Sequence, residues 1–281
     1  MSAPPRPAKT GSNGSSTHEL RPVTVPDFLA AKASGRRLTM LTAYDYTMAR
    51  LLDAAGVDSI LVGDSLGMVV QGQPDSLAVT LDEMIYHTRL VIRGVRRSLV
   101  ITDLPFMTYQ VSPQQALESA GRLLQQSGAH GVKLEGGVRS AAAVAAITAV
   151  DIPVVGHIGL TPQSVRRLGG YKVQRNAEQL LDDALALEAA GAFALVVECV
   201  PAEIAQRITA ALKIPTIGIG AGPHCDGQVL VTPDLLGLFN ELRPRFVKHY
   251  AELGQEVMRA VEDYCREVRD GEFPSAEYSF R

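Results

Sequence analysis

The feature that most constrains this chain is a repeated alternation. Eight short apolar runs, with little polar interleaving, stand at 38–43, 59–63, 99–102, 131–134, 153–156, 193–198, 214–219 and 245–248, and nearly all precede a helical segment. Strands that read as unbroken apolar runs are buried on both faces, as in parallel sheets covered by helices. Alternating βα units imply a parallel sheet, and eight of them closing on themselves make a TIM barrel. The competing arrangement, an open doubly wound sheet, usually carries a glycine-rich nucleotide loop after its first strand. Here the first run leads into AYDYTMAR, with no G-x-G-x-x-G. The expected fold is therefore α/β, a (β/α)8 TIM barrel with an additional N-terminal helix over 24–34.

Punctuation between the runs supports this reading. Thr80 with Glu83 three places on forms a capping box, and Ser112 followed by Pro113 opens a helix that Gly128 closes. Residues 1–20 are rich in Pro, Ser and Gly and lack the apolar stretch of a signal peptide, which predicts a disordered tail. Residues 21–281 are expected to form a single TIM-barrel catalytic domain, a length ordinary for one such barrel.

Composition excludes some classes of function. The net charge is −3, Trp is absent and aromatics make up 5 %, which argues against a nucleic-acid or anionic-membrane surface. No uncharged apolar run reaches the roughly 18 residues needed to span a bilayer. Cys199, Cys225 and Cys265 are odd in number and show no C-x-x-C spacing, so a cytoplasmic location is expected, without a disulfide framework or zinc site.

TIM barrels place function at the C-terminal ends of their strands. There the sequence sets Asp64 and Ser65, Asp103, Lys133 with Glu135, His157, and Glu198. Each residue alone has an ordinary structural reading, since Asp and Ser cap helices and a lone His is commonly a satisfied core residue. Five consecutive strands ending in such groups make coincidence a poor account. Lys133 and Glu135 are two apart and share a strand face, while Val132 and Leu134 take the other. The carboxylates of Asp64, Asp103 and Glu135 would repel one another unless a cation joined them. Oxygen-only ligands favour Mg2+ over zinc. Lys133 then offers a partner for an anionic substrate, and Glu198 is the candidate base.

TAYDYTMA (42–49), LVGDSLGMVVQG (61–72), DLPFMTY (103–109), VKLEGG (132–137), GHIGLTPQSV (156–165), GGYKVQ (169–174), ECVP (198–201) and IGIGAG with DGQ (217–228) closely resemble the ketopantoate hydroxymethyltransferase family, over roughly residues 22 to 281. The resemblance implies transfer of a hydroxymethyl group from 5,10-methylenetetrahydrofolate to 3-methyl-2-oxobutanoate, giving 2-dehydropantoate through a Mg-stabilised enolate. Carried over by motif, it implies metal ligation by Asp64 and Asp103, with Glu135 joining the shell. It implies oxo-acid contacts from Asp64, Ser65, Asp103 and Lys133, with His157 near the substrate, and Glu198 as general base. It further implies a homodecamer acting on small molecules.

The alternative is a Mg-dependent oxo-acid lyase or mutase of the phosphoenolpyruvate mutase/isocitrate lyase type. Such lyases carry a catalytic Cys in a Lys-Lys-Cys-Gly-His loop, and none of the three cysteines stands in that setting. Cys199, directly behind Glu198, is expected to face away from it on a regular strand. A non-catalytic binding barrel would show degraded rim chemistry, which this sequence does not.

Overall fold

The computed structural model describes residues 21–238 and 244–280. The expected tail at 1–20 lies outside them. Its elements are α1 (Val25–Ser34), β1 (Leu38–Thr42), α2 (Tyr46–Ala54), β2 (Ser59–Val62), α3 (Leu66–Val69), α4 (Leu81–Gly94), β3 (Leu99–Asp103), α5 (Pro113–Ser127), β4 (Gly131–Glu135), α6 (Ala141–Thr148), β5 (Val154–Gly159), α7 (Val165–Leu168), α8 (Ala177–Ala189), β6 (Ala194–Glu198), α9 (Ala202–Ala211), β7 (Thr216–Ile219), β8 (Gly227–Leu230), α10 (Thr232–Leu235) and α11 (Leu253–Asp270). The strands close in sequence order, each parallel to its neighbours, with β8 returning to β1.

Two apolar layers follow from the period-two geometry of the strands. Outward residues such as Val132 and Leu134 join helix residues in one cluster. Inward residues at the strand starts, among them Leu38, Met40, Leu99 and Ile217, form a second cluster with Phe28 and Ala31 of α1. Phe28 is fully buried and meets Phe193, just before β6, edge-on at 5.8 Å. The leading helix thus plugs the N-terminal mouth, and the polar strand ends lie at the opposite one.

The helix ends follow their local chemistry. Thr80 and Glu83 close a reciprocal capping box at α4, Ser112 Oγ accepts from Gln115 N at α5, and Gly128 ends α5 in the left-handed region.

One strand differs from expectation. The eighth is Gly227–Leu230, not the run at 245–248. Its pairing demands a glycine, because a Cβ on Gly227 would lie 2.6 Å from the Leu38 carbonyl oxygen. The strand is short and contains Gly and Gln, so it reads as the end of the preceding loop rather than as an apolar run. Segment 245–248 instead lies by the C-terminal mouth, where Phe246 packs over Gly220 and Val247 is buried.

Candidate active site

Strand geometry brings Asp64, Ser65, Asp103, Lys133, Glu135, His157 and Glu198 around one cavity of about 480 Å3 at the C-terminal mouth. Two glycines let the strand ends close up. A Cβ on Gly63 would stand 2.8 Å from Ser65 Oγ, and one on Gly159, at φ +93°, would strike the Glu198 carbonyl at 2.1 Å.

Lys133 sits at the centre. Its Nζ is 2.8 Å from Asp103 Oδ1 and 3.4 Å from His157 Nδ1, and all three side chains are almost wholly buried. Burial opposes the lysine charge, but the Asp103, Glu135 and Asp64 carboxylates outweigh it and hold the ammonium above its ordinary range. The Asp103 contact is close yet poorly aligned, so Oδ1 has no well-directed hydrogen bond. Asp103 Oδ2 accepts from the backbone N–H of Asp64 at 3.1 Å, which ties the end of β3 to the turn after β2.

Three acids lie in this dry setting. Burial, then the neighbouring Asp103 charge, raises Asp64 to about 6. Burial also raises Asp103, against the pull of Lys133, and pushes Glu135 well above the usual carboxylate range. His157 is held below its ordinary value by burial and by Lys133, so its ring is neutral near pH 7. Its Nε2 is 3.2 Å from Glu198 Oε2, without good hydrogen-bond alignment. The Glu198 side chain, 15 % exposed, is the most accessible of these acids.

Among the described residues, no group of three or more His, Cys, Asp and Glu side chains is arranged as a ready-made metal site. The donor set nevertheless suits a hard cation that uses one or two carboxylates and keeps waters, as Mg2+ does. Asp103 Oδ1 is buried without a well-directed partner, and Asp64 is raised by burial and then by its acidic neighbour.

Two placements add to the sequence reading. Cys199 does not face away from Glu198. The strand stops at Glu198, Cys199 turns to φ +48°, and it lines the same cavity. Burial, then the Glu198 charge, lifts its thiol to about 12, which leaves it poorly nucleophilic. Uncharged partners were also missed. Tyr44 Oη lies 2.8 Å from Ser65 Oγ, and buried Tyr109 and Gln163 contact Glu135 and Asp64. All three stand inside the quoted motifs, but uncharged side chains there give no sign of what they touch.

Fold and site together define an α/β-barrel protein of the enzyme type, with acids, a lysine and a histidine gathered around one cavity at the C-terminal mouth. Solved structures share the architecture: phosphonopyruvate hydrolase in complex with oxalate and Mg2+ has a TM-score of 0.60 at 16 % identity, covering 91 % of this chain and 93 % of that one. The 2,3-dimethylmalate lyase of the PEP mutase/isocitrate lyase superfamily gives 0.58 at 17 % identity, covering 91 % of both chains. Likeness at that identity establishes the fold. Sequence goes further. The ketopantoate hydroxymethyltransferase family profile matches residues 22–276. The 3-methyl-2-oxobutanoate hydroxymethyltransferase of Pelobacter propionicus is 56 % identical over 261 residues, 92 % of this chain and 97 % of that protein. The protein of that name from Clostridium beijerinckii is 53 % identical, covering 92 % and 95 %. The chain belongs to the ketopantoate hydroxymethyltransferase family, and it is an enzyme of the transferase class.

Proposed function

We propose that this chain transfers a hydroxymethyl group from 5,10-methylenetetrahydrofolate to 3-methyl-2-oxobutanoate, giving 2-dehydropantoate for pantothenate synthesis. Family membership supports the reaction. The observation that carries the site assignment is the convergence of Lys133, three buried acids, His157 and Glu198 on one cavity.

Asp64 and Asp103 are assigned as Mg2+ ligands, with Glu135 joining the shell. When bound, Mg2+ supplies Lewis-acid stabilisation of the negative charge that develops on the 2-oxo group. Lys133 balances the substrate carboxylate, and Ser65, held by Tyr44, offers it a hydroxyl. Glu198 takes the proton from C3. His157 lies between Lys133 and Glu198, within 3.4 Å of the Lys133 ammonium and 3.2 Å of the Glu198 carboxylate. Water supplies the oxygen for the one-carbon unit: both of its bonds to the folate nitrogens break, those nitrogens take the water protons, and tetrahydrofolate is released. The C3 carbanion equivalent bonds to the resulting formaldehyde-level carbon, and the proton taken by Glu198 is returned to its oxygen to complete the hydroxymethyl group. Val229, Val231 and Phe246 form an apolar wall of the cavity, a surface suited to the donor's pterin ring.

Residues 21–281 are assigned as one catalytic domain, with residues 1–20 dispensable. A homo-oligomer, as a decamer, is supported by α11, which buries none of its residues and exposes Val257, Val261, Tyr264 and Val268 at helical spacing. Three free cysteines suit a cytoplasmic setting. No described helix is long and apolar enough to cross a membrane.

Exchange of the C3 proton of 3-methyl-2-oxobutanoate in deuterium oxide tests the reading. Exchange should require Mg2+, stop in EDTA, and accompany folate-dependent product formation. Exchange that is indifferent to EDTA would remove the metal from the scheme.

A further inference from the structure

We propose that Gln163 is a positioning residue, which fixes the Asp64 carboxylate for cation and oxo-acid binding through a chain that begins at Tyr109. The inference rests on the Mg2+ reading given above.

Gln163 lies in the short turn at Pro162–Ser164 that follows β5, and its side chain is buried. It is not among the residues lining the cavity, so it stands behind Asp64 rather than against substrate. All four hydrogen-bonding positions of its amide are filled. Nε2 donates to Asp64 Oδ2 at 2.9 Å and to the Leu104 carbonyl at 3.0 Å. Oε1 accepts from Tyr109 Oη at 2.7 Å and from Gln110 Nε2 at 3.0 Å. The Gln163 backbone N–H donates to Glu135 Oε2 at 3.0 Å.

These partners leave one orientation for the amide. Reversed, its oxygen would face the Asp64 carboxylate and the Leu104 carbonyl, and its NH2 would face the NH2 of Gln110. Tyr109 supports the same orientation. Its Oη accepts from the Glu135 backbone N–H at 3.1 Å, and its own proton goes to Gln163 Oε1, the shortest contact available to it. A directed chain therefore runs from the Glu135 backbone through Tyr109 and Gln163 to Asp64. Among the described residues, no other side chain hydrogen-bonds the Asp64 carboxylate. With Oδ2 engaged, carboxylate rotation is arrested and Oδ1 remains for a ligand. A buried polar chain with every member satisfied holds one arrangement firmly, and partners of this kind tune metal ligands.

Calorimetric Mg2+ titration of the intact enzyme, paired with C3-proton exchange, provides the test. Gln163→Leu should weaken Mg2+ affinity about 10- to 100-fold, and the Mg2+ concentration needed for half-maximal exchange should rise by the same factor. Tyr109→Phe should weaken affinity in the same direction by less. The double variant should be no worse than Gln163→Leu, because both act through one chain. Gln163→Met keeps the length and apolar bulk without donors. It should bind Mg2+ as poorly as Gln163→Leu even where its melting temperature is restored, and it serves in place of the leucine variant if that one misfolds. Wild-type affinity in Gln163→Met would make the role one of packing and overturn the proposal. An unmodified enzyme that binds no Mg2+ would instead overturn the metal reading, and with it this inference. Normal Mg2+ binding in the enzyme and in all variants would sink the positioning role alone.

Discussion

His157 Nε2 stands 3.2 Å from Glu198 Oε2, and the contact is diagonal. The register sets His157 beside Val196 and Glu198 beside Gly159, so the two side chains meet across the sloping interior face. Burial and Lys133 keep the imidazole uncharged near neutral pH. Glu198 is therefore not confronted with a fixed imidazolium, and it is the more accessible of the two groups, which fits the role of base proposed for it.

Glu198→Gln keeps the shape and removes the basic oxygen. C3-proton exchange should fall by roughly 10^2 to 10^4, the usual cost of losing a general base, with oxo-acid affinity retained. Deuterium incorporation followed by NMR reads this directly. Fast exchange with impaired product formation would move Glu198 to a later step and make His157 the stronger base.

Asp103→Asn should weaken Mg2+ and oxo-acid binding together, because the same carboxylate is assigned to both the cation and the substrate in the proposed site. Titration calorimetry with and without EDTA separates the two. Tight oxo-acid binding that persists in EDTA would contradict a shared site.

The acid cluster also predicts how stability depends on pH when EDTA keeps the enzyme metal-free. Asp64 is raised to about 6 by burial and by Asp103, from an ordinary value of 3.8. A raised acid binds more protons folded than unfolded, so its contribution to stability is present below the ordinary value and is lost as pH rises through about 6. Melting temperatures in EDTA should decline across that window. Asp64→Asn should flatten the decline, and an identical slope in the variant would assign it elsewhere.

Phe28→Ala should cost about 3–5 kcal/mol, as for other large-to-small changes in a core. Phe28 is fully buried against Phe193 at the closed mouth, far from the acids. Thermal unfolding measures the loss, and turnover well below the melting point should change little. An unaltered melting temperature would mean that α1 does not act as a plug.

The barrel could be read from the sequence because parallel strands covered on both sides must be apolar throughout, and seven of the eight announce themselves in that way. Gly227–Leu230 did not, since pairing beside Leu38 requires a glycine where an apolar signal would otherwise stand. The charged rim was equally legible, because Lys133 and Glu135 have no apolar reason to share a strand face. Gln163 and Tyr109 were not, since an uncharged polar residue is commonplace in a loop and its importance lies in which atoms it meets. Cys199 was misplaced because a positive φ after a strand leaves no mark in the sequence.

Charge placed on the outer face of α11 tests the assembly. Val261→Glu with Val268→Glu substitutes two exposed apolar residues of a helix that buries nothing within its own chain. Light scattering should show a smaller particle with secondary structure intact. An unchanged mass would exclude this face as a contact between copies.

The α1 plug has a consequence for traffic. The inward core and α1 fill the N-terminal end, so in the proposed reaction both reactants and both products would share the C-terminal mouth. In the proposed reaction the oxo acid takes the deepest place, against Lys133, and the bulkier donor stands between it and the solvent. That arrangement predicts a queue: the oxo acid should enter first, and the spent folate should step aside before the lengthened acid leaves. Initial rates with each reactant varied, and product inhibition by tetrahydrofolate, read that order; random entry would show that the donor leaves a side passage open.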